Sequence, residues 1–395
     1  MQFKTIHNLE GLRQRALEWN RLHAQASVGS PAKRSEPLCY FINTFANEQP
    51  WQVAMVENRS SEIVAALGFL VERKGPLRIA KLLQNPWASC ADLMLLPGFE
   101  SNGVQTLLKG FNDLGIDLLW LDWINEQGPN WSALLKQIPN ASRRIFPQYH
   151  VGLIETDTDF ESYFARTSKG HRKKIRSRLK KLGSRGDLEF RFERHLNAGE
   201  LESRLKEIFD LEHRGWKGKS GTSVHANAGC FQFYGHQAIA LSRSNSFAIS
   251  ELRLDGKLVA YEYGYLNQRT YYSHKVGYDE TYSDYSPGHL MTYFLLKHFH
   301  ETGTARRIDT MGEVSEATEK WITGFETKSR AIITLNSKSR ALLPGLDLFR
   351  WGKRKLGRVD DFGPPPKVIA PSTSSEARAP AEPFLGFSPD QPSSC

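Results

Sequence analysis

Cysteine is scarce in this chain, with four residues in 395: Cys39, Cys90, Cys230 and Cys395, none of them spaced as C-x-x-C. A disulfide framework or a structural zinc site needs closely set pairs, so neither is expected, and no metal ligand set is assigned. No run approaches the roughly 18 apolar residues that a membrane-spanning helix needs. The opening stretch MQFKTIHNLEGLRQ has no apolar core of a signal peptide, and these absences together point to a reduced, cytoplasmic location. Acidic residues also run short, 43 against 52 Lys and Arg, for a net charge of +9. That excess favours anionic partners such as phosphate groups, nucleic acid or anionic lipid, and charge alone does not favour nucleic acid among them.

What is present reads as alternating helices and strands. Positions 9–27 have the apolar spacing of an amphipathic helix, and strands are expected over 51–56, 63–71 and 78–83. Helices over 103–112 and 130–138 flank a strand at 117–123, and a strand at 148–154 closes the first half. The second half begins with helices at 159–166 and 169–182 and a strand at 188–192. Helices at 201–216 and 229–243 follow, then the strands 247–254, 257–266 and 270–276. The Asp255-Gly256 turn between two apolar runs is a strong hairpin signal. A helix over 289–301 ends at Gly303, and strands at 307–309 and 330–335 complete the order. The expectation is an α/β (α+β) protein of two units, 1–155 and 156–340, each with a mixed, largely antiparallel sheet flanked by helices. A basic linker helix at 341–358 and a Pro- and Ser-rich disordered tail at 359–395 follow.

A strand that feeds a short loop and then a helix suits a ligand with an amide arm and a pyrophosphate. The strand edge can bond the amides, and the helix N-terminus can hold the anion. Thr270–Glu301 has that order: TYYSHKVGYD, ETYSDYSPG, HLMTYFLLKHFHE. Ser286 is placed to cap the helix, Pro287 suits its first turn, and Gly288 lets a phosphate approach the backbone. The same Ser-Pro-Gly would also serve as plain capping.

The run from "LRLDGKLVAYEYGYLNQRTYYSHKVGYDETYSDYSPG" through "HLMTYFLLKHFHETGTARRIDTMGE" to "EKW" resembles the CelD-like, BioF-type acetyltransferase family. That family is a branch of the GNAT superfamily related to FemAB-like enzymes. The resemblance rests on Gly277-Tyr278-Asp279, Tyr282, Ser286-Pro287-Gly288, Asp309, Gly312-Glu313, Lys320 and Trp321, with the lead-in LEHRGWKG at 211–218. It spans about 160–335 and departs where VSEAT lengthens the family's compact spacing before Lys320. The resemblance implies tandem GNAT folds with acetyl-CoA or another acyl-CoA held by the second unit, at His274, Lys275, Val276, Ser286, Pro287, Gly288 and His289. It also implies substrate contacts from Glu313, Lys320, Trp321 and Tyr278.

For chemistry, Glu262 lies mid-strand among apolar neighbours, where burial would raise its pKa toward that of a general base. It can equally be a strand carboxylate paired with a cation. Asp309 is either a substrate-binding acid or a turn cap. His274 is either catalytic or a structural donor. Tyr278, Tyr282 and Tyr285 would line the pocket or protonate a leaving thiolate, with Tyr285 assigned to the catalytic set. The run at 166–181 has no acidic residue and reads as a solvated helix or as a site for an anionic partner. The function expected is acyl transfer from acyl-CoA to an amine, such as an amino sugar or a cell-envelope or polysaccharide precursor. The alternatives are a FemAB-like transferase using aminoacyl-tRNA and a basic nucleic-acid-binding protein with a degenerate GNAT fold.

Overall fold

The computed structural model of the chain describes residues 1–26, 28–348 and 365–369. Its strands in the first half are β1 (Gln2–Ile6), β2 (Trp51–Glu57), β3 (Ile63–Lys74), β4 (Leu77–Leu82), β5 (Met94–Leu95), β6 (Leu118–Ile124) and β7 (Arg143–Glu155). Those of the second half are β8 (Leu188–Glu193), β9 (Phe247–Leu254), β10 (Lys257–Asn267), β11 (Thr270–Tyr278), β12 (Arg307–Glu313) and β13 (Gly324–Thr334). All belong to one mixed sheet in the order β1-β2-β3-β4-β6-β13-β7-β12-β11-β10-β9-β8, with β5 paired to β3. The last strand therefore returns to sit between β6 and β7, where it pairs antiparallel with both.

Helices cover the two faces. The first half supplies α1 (Leu9–Gln14), α2 (Ala16–Gln25), α3 (Ser35–Phe41), α4 (Glu100–Asp113) and α5 (Pro129–Lys136). The second half supplies α6 (Phe160–Arg166), α7 (Lys169–Gly183), α8 (Ala198–Arg214), α9 (Trp216–Lys219), α10 (Cys230–Arg243), α11 (Pro287–Thr302) and α12 (Ser337–Arg340). Among the described residues no helix is long and apolar enough to cross a membrane.

Local chemistry accounts for these boundaries. Asn197 and Glu200 form a reciprocal capping box at the start of α8, which then buries Leu201, Leu205, Ile208 and Phe209 along one face. Asp255 and Gly256 both take positive φ, at 49° and 77°, which matches the right-handed twist of the β9–β10 hairpin. Gly303, at φ 65°, closes α11 in the left-handed conformation expected of a helix C-terminus. The single helix read over 9–27 is broken at Arg15, whose φ of −102° and ψ of 13° separate α1 from α2. Residue 27 lies outside the described residues, as do 349–358 of the expected linker helix and most of the expected tail. Within that tail, residues 365–369 run beside the 319–322 loop, where the Ile369 amide donates to the Ile322 carbonyl at 2.8 Å.

Two of the apolar cores divide one face of the sheet. One packs α4 and α5 on the first-half strands and on Ala331 and Ile333 of β13, and the other packs α6, α7 and α11 on β9 to β12. The core on the opposite face is shared. It joins Leu12, Trp19 and Phe41 of the first half to Phe209, Tyr234, Tyr261 and Tyr263 of the second. Because that core spans both halves, the chain is expected to unfold in one cooperative transition. Phe209 is fully buried at its centre, with its ring 5.7–6.3 Å from those of Tyr234, Tyr261 and Tyr263. Phe209→Ala should lower the stability measured by urea titration by about 3–5 kcal/mol without splitting the transition in two.

Candidate functional site

The site begins where two parallel strands stop pairing. β11 and β12 are bonded in register at Thr270↔Arg307, Tyr271↔Ile308 and Tyr272↔Asp309, and no further. Both strands continue, to Tyr278 and Glu313, but they diverge. Each carries an irregularity at the point of divergence. On β11 the register against β10 slips between Tyr263 and Gly264, leaving His274 as the extra residue. On β12 the register against β7 slips between Asp309 and Glu313, and Met311 sits at a positive φ of 53°. Asp309 holds that bulge by accepting a hydrogen bond from the Met311 amide at 2.7 Å, the geometry of a turn cap.

The gap opens into a cavity of about 980 Å³ lined from both faces of the sheet. Alternation along an antiparallel ladder turns successive residues toward and away from the neighbour. The Val276 carbonyl accepts from Lys217 Nζ at 2.6 Å, so Val276 faces away from β10 and turns its own N–H toward the gap. One wall is built by α11, whose Gly288, Met291, Thr292 and Leu295 recur at helical spacing, with Ser315, Thr318 and Trp321 facing them. The other is built by Trp87, Trp216, Lys217, His274, Lys275 and Tyr149.

Glu262 lies within this cavity and is 4% exposed. Tyr261, Tyr263 and Tyr265 turn into the shared core, so alternation sends Glu262 to the α11 side of the sheet. Its Oε1 has no hydrogen-bond partner among the described residues, and no cation pairs with it. Burial pushes its pKa up to about 7, with the side chains of Ser273 and Tyr271 opposing the shift only in part. Of the two readings open for this residue, an ion-paired strand carboxylate is not what is seen.

The start of α11 differs from expectation. Ser286 takes the left-handed conformation, at φ 51° and ψ 60°, and its side chain caps nothing. Pro287 has no N–H and does not line the cavity. The amides of His289 and Leu290 both turn back to the Ser286 carbonyl, at 3.0 and 3.3 Å. Gly288 is therefore the one residue of this first turn whose N–H is open among the described residues. His289 lines the cavity, but burial and the charges of Arg178 and Lys320 hold its pKa down to about 4, so its ring is neutral. It accepts from Trp321 Nε1 at 3.3 Å, and His171 packs edge-on against Trp321 at 4.4 Å. An anion here would meet one amide, the helix dipole and nearby cations rather than a full nest of N–H groups.

The remaining assigned residues divide. Tyr278, Trp321, Glu313, His274, Lys275 and Val276 line the cavity. Tyr285 does not: it stands beside Tyr282, 6.5 Å between ring centroids, outside the lining. Lys320 also lies outside it, with its ammonium 3.7 Å from Glu316 at the surface. His274 is enclosed by Tyr234, Tyr263 and Tyr265, and burial lowers its pKa to about 3, so it carries no charge. The wall from the first half was not read from the sequence: Trp87 comes from a loop, Trp123 from the end of β6 and Tyr149 from the middle of β7, all more than 100 residues before β11. The Trp in NPWAS was the available signal, a large aromatic in a polar loop.

Glu262 also makes a stability prediction. Its folded value near 7 lies above the ordinary 4.5, so the folded state keeps a proton that the unfolded chain releases. That contribution is complete below about pH 4.5 and is lost as pH rises through 7. Denaturation of the wild type against Glu262→Gln should therefore show the wild type losing on the order of 3 kcal/mol relative to the variant between pH 4.5 and 8. A constant difference across that range would place the carboxylate in water or in an ion pair.

Residues 169–320 match a family model described as an acetyltransferase (GNAT) domain. No curated protein matches the chain. Among solved structures, a conserved protein of unknown function from Bacteroides thetaiotaomicron VPI-5482 aligns with TM-score 0.52 at 12% identity, covering 85% of this chain and 99% of that one. FemX aligns with TM-score 0.51 at 10% identity, over 83% of this chain and 96% of its own. L-PGS from Bacillus licheniformis aligns with TM-score 0.50 at 12% identity, over 83% and 95%. At such identities the likeness establishes the fold alone: a mixed α/β architecture over most of the chain, within which residues 169–320 resemble an acetyltransferase (GNAT) domain.

Proposed function

We propose that this protein transfers an acyl group from an acyl-CoA to an amine. The observation that carries the reading is the divergence of β11 from β12 around an unpaired, buried carboxylate. The free edge of β11 offers backbone groups to the amide arm of a pantetheine, as another strand would. The open Gly288 amide and the dipole of α11 serve the pyrophosphate, with Arg178 of α7 and Lys320 close by. The finer resemblance to CelD-like, BioF-type acetyltransferases supports the same donor and an amino-sugar or cell-envelope precursor as acceptor.

In this mechanism Glu262 takes a proton from the amine as its nitrogen attacks the thioester carbonyl. A base with a pKa near 7 is half ionised at neutral pH and still strong enough to accept that proton. Backbone N–H groups turned into the gap, that of Val276 among them, polarise the carbonyl as charge develops on its oxygen. The C–S bond then breaks and the thiolate leaves. Of the three tyrosines considered, only Tyr278 lines the cavity where it can donate a proton to that sulfur. Asp309 shapes β12 through the Met311 amide and takes no part in proton transfer.

The aminoacyl-tRNA reading has one observation of its own. On α7, Lys169, Lys173, Lys174, Arg176, Lys180 and Lys181 are exposed, and none is ion-paired among the described residues. His171, Ile175 and Leu182 dock the helix, leaving a basic face beside the 280–285 turn. Such a face suits a phosphate backbone, and the same divided strands would then hold the aminoacyl ester.

Calorimetric titration separates the donors. Acetyl-CoA, free CoA and longer acyl-CoAs are expected to bind, and Gly288→Glu to weaken them at least tenfold by setting a carboxylate against the pyrophosphate. Gly288→Ala should bind nearly as the wild type does, since a Cβ there meets only Tyr278 Cδ1 at 3.7 Å. Binding of aminoacyl-tRNA with no response to any CoA would select the second reading. With an accepted amine in hand, Glu262→Gln should cut turnover by 10²–10⁴ while leaving acetyl-CoA affinity within about twofold. The wild-type rate should rise with pH about a midpoint near 7, and the variant should lose that rise.

A further inference from the structure

The wall of the cavity opposite α11 carries an unanswered charge. Lys275 leaves β11 on the same face as Tyr263, its register partner, and so points away from Glu262 and the α11 wall. Its ammonium stands 5.2 Å from the ring centroid of Trp87 and 5.1 Å from that of Tyr234. It makes no hydrogen bond and no ion pair among the described residues.

The groups that might answer it are committed elsewhere. Glu212, the carboxylate that bears on it most, has both oxygens occupied: Oε1 accepts from Lys217 Nζ and Oε2 from the Val224 amide, each at 2.8 Å. Lys217 also takes the carbonyl of Val276, the next residue along β11. Two ring faces attract a cation, but they satisfy none of its three N–H donors. An ammonium largely withdrawn from water is costly until an anion meets it. Burial accordingly holds the Lys275 pKa below its usual value, with the charge of Lys217 acting in the same direction. A second polar atom on this wall, the enclosed Nε2 of His274, is likewise without a partner.

Resting on the acyl-transfer reading, we propose that this wall is the acceptor's binding surface and that Lys275 anchors an anionic group of the acceptor, a carboxylate or a phosphate. The donor would lie along α11 on one side of the divided strands, and the amine would arrive from the other. Trp87 and Trp216 supply flat apolar walls for the body of the acceptor, and Lys275 fixes its charged end. An acceptor of this class is an amine that also bears an anion, rather than a simple cationic amine.

The test uses the full chain saturated with free CoA and pairs of amines that differ only in the anionic group. Ethanolamine is compared with O-phosphoethanolamine, and alaninamide with alanine, by calorimetry. At least one anionic member should bind the wild type about tenfold or more tightly than its neutral twin, and which pair shows the gap identifies phosphate or carboxylate. Lys275→Met should close the gap, and Lys275→Arg should keep most of it, with the wild-type circular dichroism spectrum and urea midpoint retained in both as the check on folding. Twins that bind the wild type equally or not at all, or a gap that survives Lys275→Met, overturn the proposal while leaving the donor reading intact. Failure of the wild type to bind CoA removes the donor reading itself.

Discussion

The arrangement depends on a place where a sheet is prevented from closing. Backbone N–H and C=O groups within a sheet are ordinarily paired, and leaving a run of them unpaired in the interior is costly. Here β11 and β12 pair over three residues and then separate, with a bulge on each strand at the point of parting. The separation is fixed by other interactions on both sides. Asp309 pins the left-handed Met311, Thr310 Oγ1 accepts from the Gly152 amide at 3.0 Å, and Lys217 holds the Val276 carbonyl. Closing the gap would mean breaking each of these, so the opening is part of the folded state.

From that opening the electrostatics follow. A carboxylate placed mid-strand and away from cations is pushed toward neutrality, and a lysine and a histidine on the opposite side are pushed the same way for the opposite reason. The cavity thus holds two ionisable groups whose charged forms burial disfavours, separated by the thickness of the sheet: a carboxyl toward α11 and an ammonium toward Trp87. Had Glu262 and Lys275 shared a face, they would have paired, and neither would be available to a ligand.

Much of the second half was legible because its signals are local. The Asp-Gly hairpin, the capping box of α8 and the Gly303 stop each lie within a few residues, and the strands and helices built on them appear where periodicity places them. Glu262 was legible for a similar reason, since one charged residue in an apolar strand announces its own burial. The β1 strand was missed, being only Gln2–Ile6, exposed at Gln2 and half-buried after it. The position of β13 between β6 and β7 could not be read, because pairing across some 170–215 residues leaves no local pattern. The start of α11 was misread in detail: Ser-Pro-Gly opens the helix, but a left-handed Ser286 has its side chain turned from the role its type suggests. Tyr285, seven residues after the pocket-lining Tyr278, is carried out of the site by the short helical turn at Glu280–Tyr285.

The continuous sheet and the shared core also bear on why a chain of this length is needed. A single divided pair of strands would form one wall of a site and leave the other to solvent. Part of the opposite wall here comes from Trp87, Trp123 and Tyr149 of the first half, and their placement relies on contacts that span the chain. Tyr234 of α10 donates to the Trp87 carbonyl, Asn267 donates to the Gly29 carbonyl at 2.7 Å, and β13 locks β6 to β7. The first half, which carries neither the divided strands nor the carboxylate, therefore contributes by shaping the space that faces them. Changes in that half would alter which molecule fits against Lys275 before they altered what happens at Glu262.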